Sequence, residues 1–121
     1  MPSRPDDVAR GLAEACLRGD VAAVRAALDV DAVAVCDGGG LVLAPTAAVH
    51  GAENVSQVVT GVLCGRPDTE LTIESVNGRA GLALRRAGRA LAVVGLREAG
   101  AKVTDVWIVL NPAKLNGWHR R

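Results

Sequence analysis

The spacing of apolar residues in the first half of the chain predicts three helices. Apolar side chains recur at intervals of three and four positions, which places them on one helical face. Gly19-Asp20 separates the first two helices, and Asp20 can cap the second. The third helix begins near Gly51 and ends at Gly65-Arg66-Pro67. The apolar positions are Val8, Leu12 and Cys16 in the first helix, Val21, Val24 and Leu28 in the second, and Val55, Val58, Val59, Val62 and Leu63 in the third.

The remaining apolar runs predict strands. Val30–Cys36 is short and rich in β-branched residues, which is typical of a strand. From Asp68 onward the period changes to two, and turn signals divide this part into four strands. These strands lie too close together in sequence for crossover helices, so the predicted sheet is antiparallel. The segment Leu41–Val49, interrupted by Pro45, stays unassigned. The four strands are 68–76, 80–86, 89–98 and 102–110.

Composition indicates one domain spanning residues 1–121. Half of the residues are hydrophobic, and a chain of 121 residues buries roughly two-thirds of its unfolded surface. Phe and Tyr are absent, so Val, Leu and Ala must fill the core beside Trp107 and Trp118. Helices followed by a strand meander form an α+β order, with helices on one side of a bent sheet.

Charge and cysteine content exclude several classes of protein. A net charge of +1 and a shortage of aromatic residues argue against direct nucleic-acid binding. The sequence shows no signal peptide and no 18-residue apolar span, so no membrane contact is expected. An odd number of cysteines, Cys16, Cys36 and Cys64, argues against a disulfide framework and favours the cytoplasm. His50 and His119 lack ligand-spaced partners, and the glycine loop at residues 38–40 lacks the Lys-Ser/Thr ending of a phosphate loop, so neither a metal nor a nucleotide cofactor is expected.

Two motifs follow the first and the last predicted strand, where functional loops commonly lie. Asp37-Gly38-Gly39-Gly40 lets the backbone take positive φ or approach another molecule closely. Asn111-Pro112-Ala113-Lys114-Leu115 ends its strand because Pro lacks an N–H and restricts the preceding residue. Taken alone, each is an ordinary loop. Asp37 and Lys114 can also pair and tie the final segment to the end of the first strand.

The opening helix pair, the stretch Val49–Val55 and the stretch Gly100–Val106 resemble the SnoaL-like branch of the NTF2-like fold, over about residues 7–116. The resemblance implies an α+β cone in which about three helices wrap a strongly bent, mixed or antiparallel sheet.

The two loop motifs described above narrow the resemblance to one group within the SnoaL-like branch. Asp37–Leu41 is similar to Asp-Gly-Gly-Gly-Lys, and Asn111–Leu115 is similar to Asn-Pro-Asp-Lys-Leu. Both occur in the SnoaL-like C-terminal extension of a group of extracytoplasmic-function sigma factors, where the extension regulates the factor by contacting its promoter-binding core. Leu41 replaces the Lys and Ala113 replaces the Asp, so a charged contact of either residue does not carry over. Without a sigma core, this chain is expected to be an excised domain or a free-standing relative.

The resemblance implies a non-catalytic regulatory domain related to transcription. Its partner would be a sigma-factor core, an RNA polymerase-associated protein or a small hydrophobic ligand. Trp107 is added to the motif residues as a contact anchor, although a core or dimer position is the simpler interpretation. The predicted binding residues are Asp37, Gly38, Gly39, Gly40, Trp107, Asn111, Pro112, Lys114 and Leu115.

The alternative is a small enzyme of the same fold: a polyketide cyclase, an isomerase or an epoxide hydrolase. Mechanisms that need Tyr do not carry over. A hydrolase would use Asp37, Asp105 and Arg97, whereas a cyclase needs one acid or base such as Asp105 or His50. The lining of the cone separates the hypotheses, because an enzyme needs a carboxylate or His there.

Plainer roles are expected for several of these residues. His50 can simply help to start the third helix, and Asp105 shares a strand face with Val103 and Trp107 by alternation. Cys36 is expected to be a small buried residue rather than a nucleophile. The tail Trp118–Arg121 is either a solvated end or a docking element. Apolar residues on both faces of the later strands predict a homodimer formed through the sheet.

Overall fold

A computed structural model describes residues 5–38 and 47–120 of the chain. Helices and strands follow one another in the predicted order, with one additional strand and one additional short helix. The elements are α1 (Pro5–Leu17), α2 (Val21–Ala27), β1 (Leu28–Asp37), β2 (Val49–His50), α3 (Ala52–Leu63), β3 (Thr69–Val76), β4 (Arg79–Arg86), β5 (Arg89–Ala99), β6 (Lys102–Val109) and α4 (Pro112–Leu115), followed by a 3₁₀ turn at Asn116–Trp118.

Local chemistry explains the helix boundaries. The Asp20 carboxylate accepts a hydrogen bond from the Ala23 N–H at 3.0 Å, which is the predicted cap of α2. α2 passes directly into β1, so Leu28 begins the strand, contrary to its predicted place on the helix. Gly51, with φ of 93°, precedes α3. An ion pair of 2.7 Å between Arg25 and Glu53 joins α2 to α3.

The six strands form one mixed sheet in the order β2-β1-β6-β5-β4-β3. β3 to β6 are an antiparallel meander, as the short connections predicted. β1 instead pairs with β6 in parallel. The two-residue β2 pairs antiparallel with β1 and begins at Val49, the last residue of the segment left unassigned. The parallel pair brings the ends of β1 and β6 to the same edge of the sheet.

One face of the sheet, termed the inner face, packs against α1, α2 and α3. Its core consists of aliphatic side chains, in agreement with the composition. Cα partners across β4, β5 and β6 are Leu82, Val94 and Ile108, all fully buried. The predicted α+β class, with helices wrapping one side of the sheet, is confirmed.

The opposite or outer face carries a smaller apolar cluster beneath the C-terminal segment, defined here as residues 111–120. Ala83, Val93 and Val109 are Cα partners on this face. Leu115 and Trp118 from the C-terminal segment pack against them. The second face of the later strands is therefore partly covered by the chain's own end.

A β-bulge at Thr104 changes which side chains of β6 point to each face of the sheet. Arg97 pairs with Asp105, but the next residue, Glu98, pairs with Val103. Val103 consequently lies fully buried in the inner core, while Asp105 lies on the outer face with Trp107. The prediction that Val103, Asp105 and Trp107 share one face is wrong, because simple alternation does not allow for the extra residue.

Candidate functional site

The Asn111–Leu115 motif builds α4 from its own side chains. The Asn111 carboxamide oxygen accepts a hydrogen bond from the Ala113 N–H at 3.1 Å and caps the helix. Pro112 occupies the first turn, where a missing N–H costs nothing. Leu115 is 4 % exposed and anchors the helix on the outer face. Asn111 and Leu115 thus hold the segment in place and leave Pro112 and Lys114 exposed.

The two motifs meet at the sheet edge where β1 and β6 end. The Lys114 ammonium donates to the Asp37 carboxylate at 2.6 Å, and the Leu110 N–H donates to the Asp37 carbonyl at 2.7 Å. The predicted pairing of Asp37 with Lys114 is confirmed. Because the Lys114 side chain is 61 % exposed, the pair contributes only about 0–1 kcal/mol. We call this exposed site the motif corner.

The glycines of the first motif lie mostly outside the described residues. Gly38 directly follows β1 and is half-buried beside the motif corner. Gly39 and Gly40 are not among the described residues, and their predicted binding role remains a prediction.

The rest of the C-terminal segment is held by a buried arginine. The Arg85 Nε donates to the Trp118 carbonyl at 2.7 Å, and its Nη1 donates to Thr72 at 2.9 Å and to Glu74 at 3.1 Å. Its Nη2 is buried without a partner among the described residues. Arg120 forms a second ion pair with Glu74 at 3.1 Å.

Backbone contacts complete this attachment. The Ala90 N–H donates to His119 Nδ1 at 2.9 Å, and the Arg120 N–H donates to the Gly88 carbonyl at 2.6 Å. His119 and Arg120 are exposed, as expected for a solvated end, but residues 118–120 are also bonded to β3, β4, β5 and the turn between β4 and β5. Arg121 lies outside the described residues. We call the bonds of Arg85 and Glu74 to residues 118–120 the clamp on the C-terminal segment. Arg85 is one of three arginines in β4, so the sequence alone did not distinguish it as the buried one.

Glu74 is kept ionised by its neighbours. The Thr72 hydroxyl, at 2.6 Å, and then the Arg85 and Arg120 guanidinium groups hold the pKa of Glu74 below its ordinary value. Partial burial of the carboxylate opposes this shift. The clamp on the C-terminal segment thus depends on a charged carboxylate.

The three candidate catalytic residues are not brought together. Asp37 and Asp105 lie on neighbouring parallel strands but four residues apart in register, or about 13 Å. His50 is exposed on the edge strand β2, where its carbonyl accepts from the Asn54 side chain at 3.1 Å. Arg97 stacks over Trp107 at 5.6 Å from the ring centre. The carboxylate pair and arginine of an epoxide hydrolase are therefore not assembled from these residues.

Within residues 5–38 and 47–120 the core of the inner face holds no buried Asp, Glu or His. The half-buried Glu98 lies on this face near the end of β5, where it is the Cα partner of Val103. The two buried polar side chains among the described residues are Ser56 of α3 and Arg85, and Arg85 faces outward toward Thr72 and Trp118. The Ser56 hydroxyl donates to the Glu53 carbonyl of its own helix at 2.7 Å. Burial raises the pKa of the Cys36 thiol, which suits the predicted role of a small apolar residue.

Metal and membrane sites were also sought in the described part of the chain. No group of three or more His, Cys, Asp or Glu residues is arranged there to hold a metal ion. No described helix is both long and apolar enough to cross a bilayer. The three cysteines are free thiols.

The sequence matches no family model and no curated protein. Solved structures do match it. The extracytoplasmic function sigma factor SigJ of Mycobacterium tuberculosis aligns with a TM-score of 0.64 and 24 % identity, over 93 % of this chain and 44 % of SigJ. This chain thus spans less than half the length of SigJ.

Two further structures extend over most of both chains. An NTF2-like protein from Burkholderia xenovorans aligns with a TM-score of 0.61 and 16 % identity, covering 97 % of this chain and 94 % of its own. An LEH-like epoxide hydrolase from Mycobacterium tuberculosis aligns with a TM-score of 0.58 and 14 % identity, covering 95 % of this chain and 88 % of its own. The chain therefore has the NTF2-like fold, as the resemblance of the helix pair and of the stretches Val49–Val55 and Gly100–Val106 implied, with an open six-stranded mixed sheet.

Proposed function

We propose that this chain is a non-catalytic regulatory domain that docks on the promoter-binding core of an extracytoplasmic-function sigma factor. The motif corner carries the proposal: Asp37 at the end of β1 and Lys114 of α4, 77 residues apart in sequence, meet and present an ion pair at the surface. The structural likeness to a part of SigJ supports it. Such a partner would place the domain in the cytoplasm.

The composition of the core also supports a binding role over the enzymatic alternative. An enzyme of this fold needs an ionisable group with a polar partner inside the cone. The buried core of the described residues is aliphatic apart from Cys16 and Ser56, and Asp105, His50 and Glu98 are not among its buried residues. Binding through the surface requires no such group.

Replacing Lys114 with Glu is expected to weaken binding to a sigma-factor core at least tenfold while changing the free energy of unfolding by no more than about 1 kcal/mol. The substitution places two carboxylates together at the motif corner. Calorimetry with the SigJ polypeptide, shortened by the part that this chain matches, measures the affinity, and thermal unfolding measures stability.

Two variants make this test specific. Lys102→Glu changes the same charge at the opposite end of β6 and is expected to leave binding unchanged. The exchange Asp37→Lys with Lys114→Asp restores an ion pair but reverses its polarity, so binding should stay weak. If Lys114→Glu lowered the stability of the domain but left its affinity for the sigma-factor core unchanged, the motif corner would have a structural role and no binding role. No binding of the unaltered chain to sigma-factor cores would remove the proposal.

A homodimer through the outer face is a separate proposal. Val35 and Trp107 are Cα partners on β1 and β6 and are 43 % and 41 % exposed beyond the C-terminal segment. Sedimentation at high micromolar concentration is expected to show a dimer that Trp107→Glu dissociates. A monomeric unaltered chain would contradict this.

A further inference from the structure

A cleft of about 480 Å³ opens between the end of α3 and the C-terminal segment. This volume lies within the range of small-molecule sites. Its apolar wall combines Val62 of α3 and Leu91 of β5 with Leu110 and Leu115. Leu110 and Leu115 are 7 % and 4 % exposed, so firmly packed residues support this wall.

Two arginines give the cleft a positive rim. Arg66 and Arg89 line it, and no Asp or Glu does so among the described residues. Every ion pair recorded in residues 5–38 and 47–120 involves other basic side chains, at Arg10, Arg25, Arg85, Lys114 and Arg120. Neither rim guanidinium therefore has its charge neutralised by a carboxylate in the described structure.

Neutral donors lie beside the arginines. Asn116 supplies a carboxamide to the lining, and His119 supplies an imidazole. His119 Nδ1 accepts from the Ala90 N–H, so in the neutral ring the proton lies on Nε2, which becomes a donor. The polar rim is thus rich in donors and cationic charge, and its complement is an anionic acceptor.

We propose that this cleft binds a small amphipathic anion, with an apolar body against the leucine wall and a carboxylate at Arg66 and Arg89. This site is separate from sigma-factor docking and does not depend on it. The ligand would contact Pro112 and Leu115 of α4, the helix that carries Lys114. Small-molecule binding and the motif corner therefore share one structural element.

Decanoate, 1-decanol and decylamine share one apolar body and differ in head-group charge, so they test the proposal on the isolated chain. Below micelle-forming concentrations, decanoate is expected to bind with a dissociation constant of about 10–100 μM, and the other two at least tenfold more weakly. Amide chemical shifts should change at Leu91, Leu110 and Leu115.

Arg89→Glu and Arg66→Glu are each expected to weaken decanoate binding at least tenfold. Arg79→Glu is the matched control, because Arg79 is an exposed arginine at the start of β4 outside the cleft. The proposal would be overturned if decanol and decanoate bound with equal affinity, or if all three variants lost the same amount of affinity for decanoate. These measurements use no sigma factor, so their failure leaves the docking proposal intact.

Discussion

Replacing Arg85 with Met is expected to lower the free energy of unfolding by about 3 kcal/mol, because one partner of a buried ion pair is removed. The Arg85 side chain is 6 % exposed and bonds to Thr72, Glu74 and the Trp118 carbonyl. Met fills similar space but donates nothing to these acceptors. The melting temperature should fall by about 10 °C, measured by calorimetry.

Arg86 provides the matched control for this substitution. It is the adjacent residue, is exposed, and bonds only to the Pro67 carbonyl among the hydrogen bonds recorded for described residues. Arg86→Met should therefore cost less than about 1 kcal/mol. If Arg85→Met and Arg86→Met lowered the free energy of unfolding equally, the clamp on the C-terminal segment would contribute nothing specific to stability.

Acid should weaken the same clamp. The pKa of Glu74 is lowered in the folded chain, so its contribution is fully present above its ordinary value of 4.5 and is lost as pH falls through the lower folded value. Glu74→Gln should therefore be less stable than the unaltered chain at pH 7, with a difference that shrinks below pH 4.5. Urea unfolding across this pH range measures the difference.

Gly81→Ala is expected to destabilise the fold by about 2–4 kcal/mol, the second large effect. A Cβ at Gly81 would lie 2.4 Å from the Val94 carbonyl oxygen and 2.7 Å from a Val76 methyl group. The carbonyl belongs to the neighbouring strand β5, so the sheet itself must shift. Urea unfolding with a common slope provides the measurement.

The neighbouring Gly95 offers a close comparison. It lies in β5 on the same sheet, and a Cβ there would meet Val76 and Trp107 at 3.5 and 3.6 Å, which is ordinary contact. Gly95→Ala should be neutral or stabilising by up to about 1 kcal/mol, since Gly weakens a strand interior. A loss above 2 kcal/mol in this variant would contradict the packing at this position.

Local signals were sufficient for most elements and for one contact of the candidate site. Asp20 caps α2 through a bond within its own turn, and the hairpins between β3 and β6 follow from short connections. Opposite charge at the ends of the first and last strands was enough to suggest that Asp37 and Lys114 pair, although the parallel pairing that brings those ends together was not predicted. Each of these inferences needs only neighbouring residues or simple complementarity.

The remaining features depend on distant parts of the chain coming together. The bulge at Thr104 places Asp105 and Val103 on opposite faces of the sheet. A threonine at this position is no sequence signal for a bulge. Arg85 and the tail were separated by 33 residues, so their contact exists only because β4 lies beneath the folded-back C-terminal segment. The parallel pairing of β1 with β6 likewise unites the motif corner. Sequence periodicity thus determined which segments are helices and strands, while the tertiary structure decided which faces and ends meet, since strand register and long-range burial are set by the packed sheet as a whole.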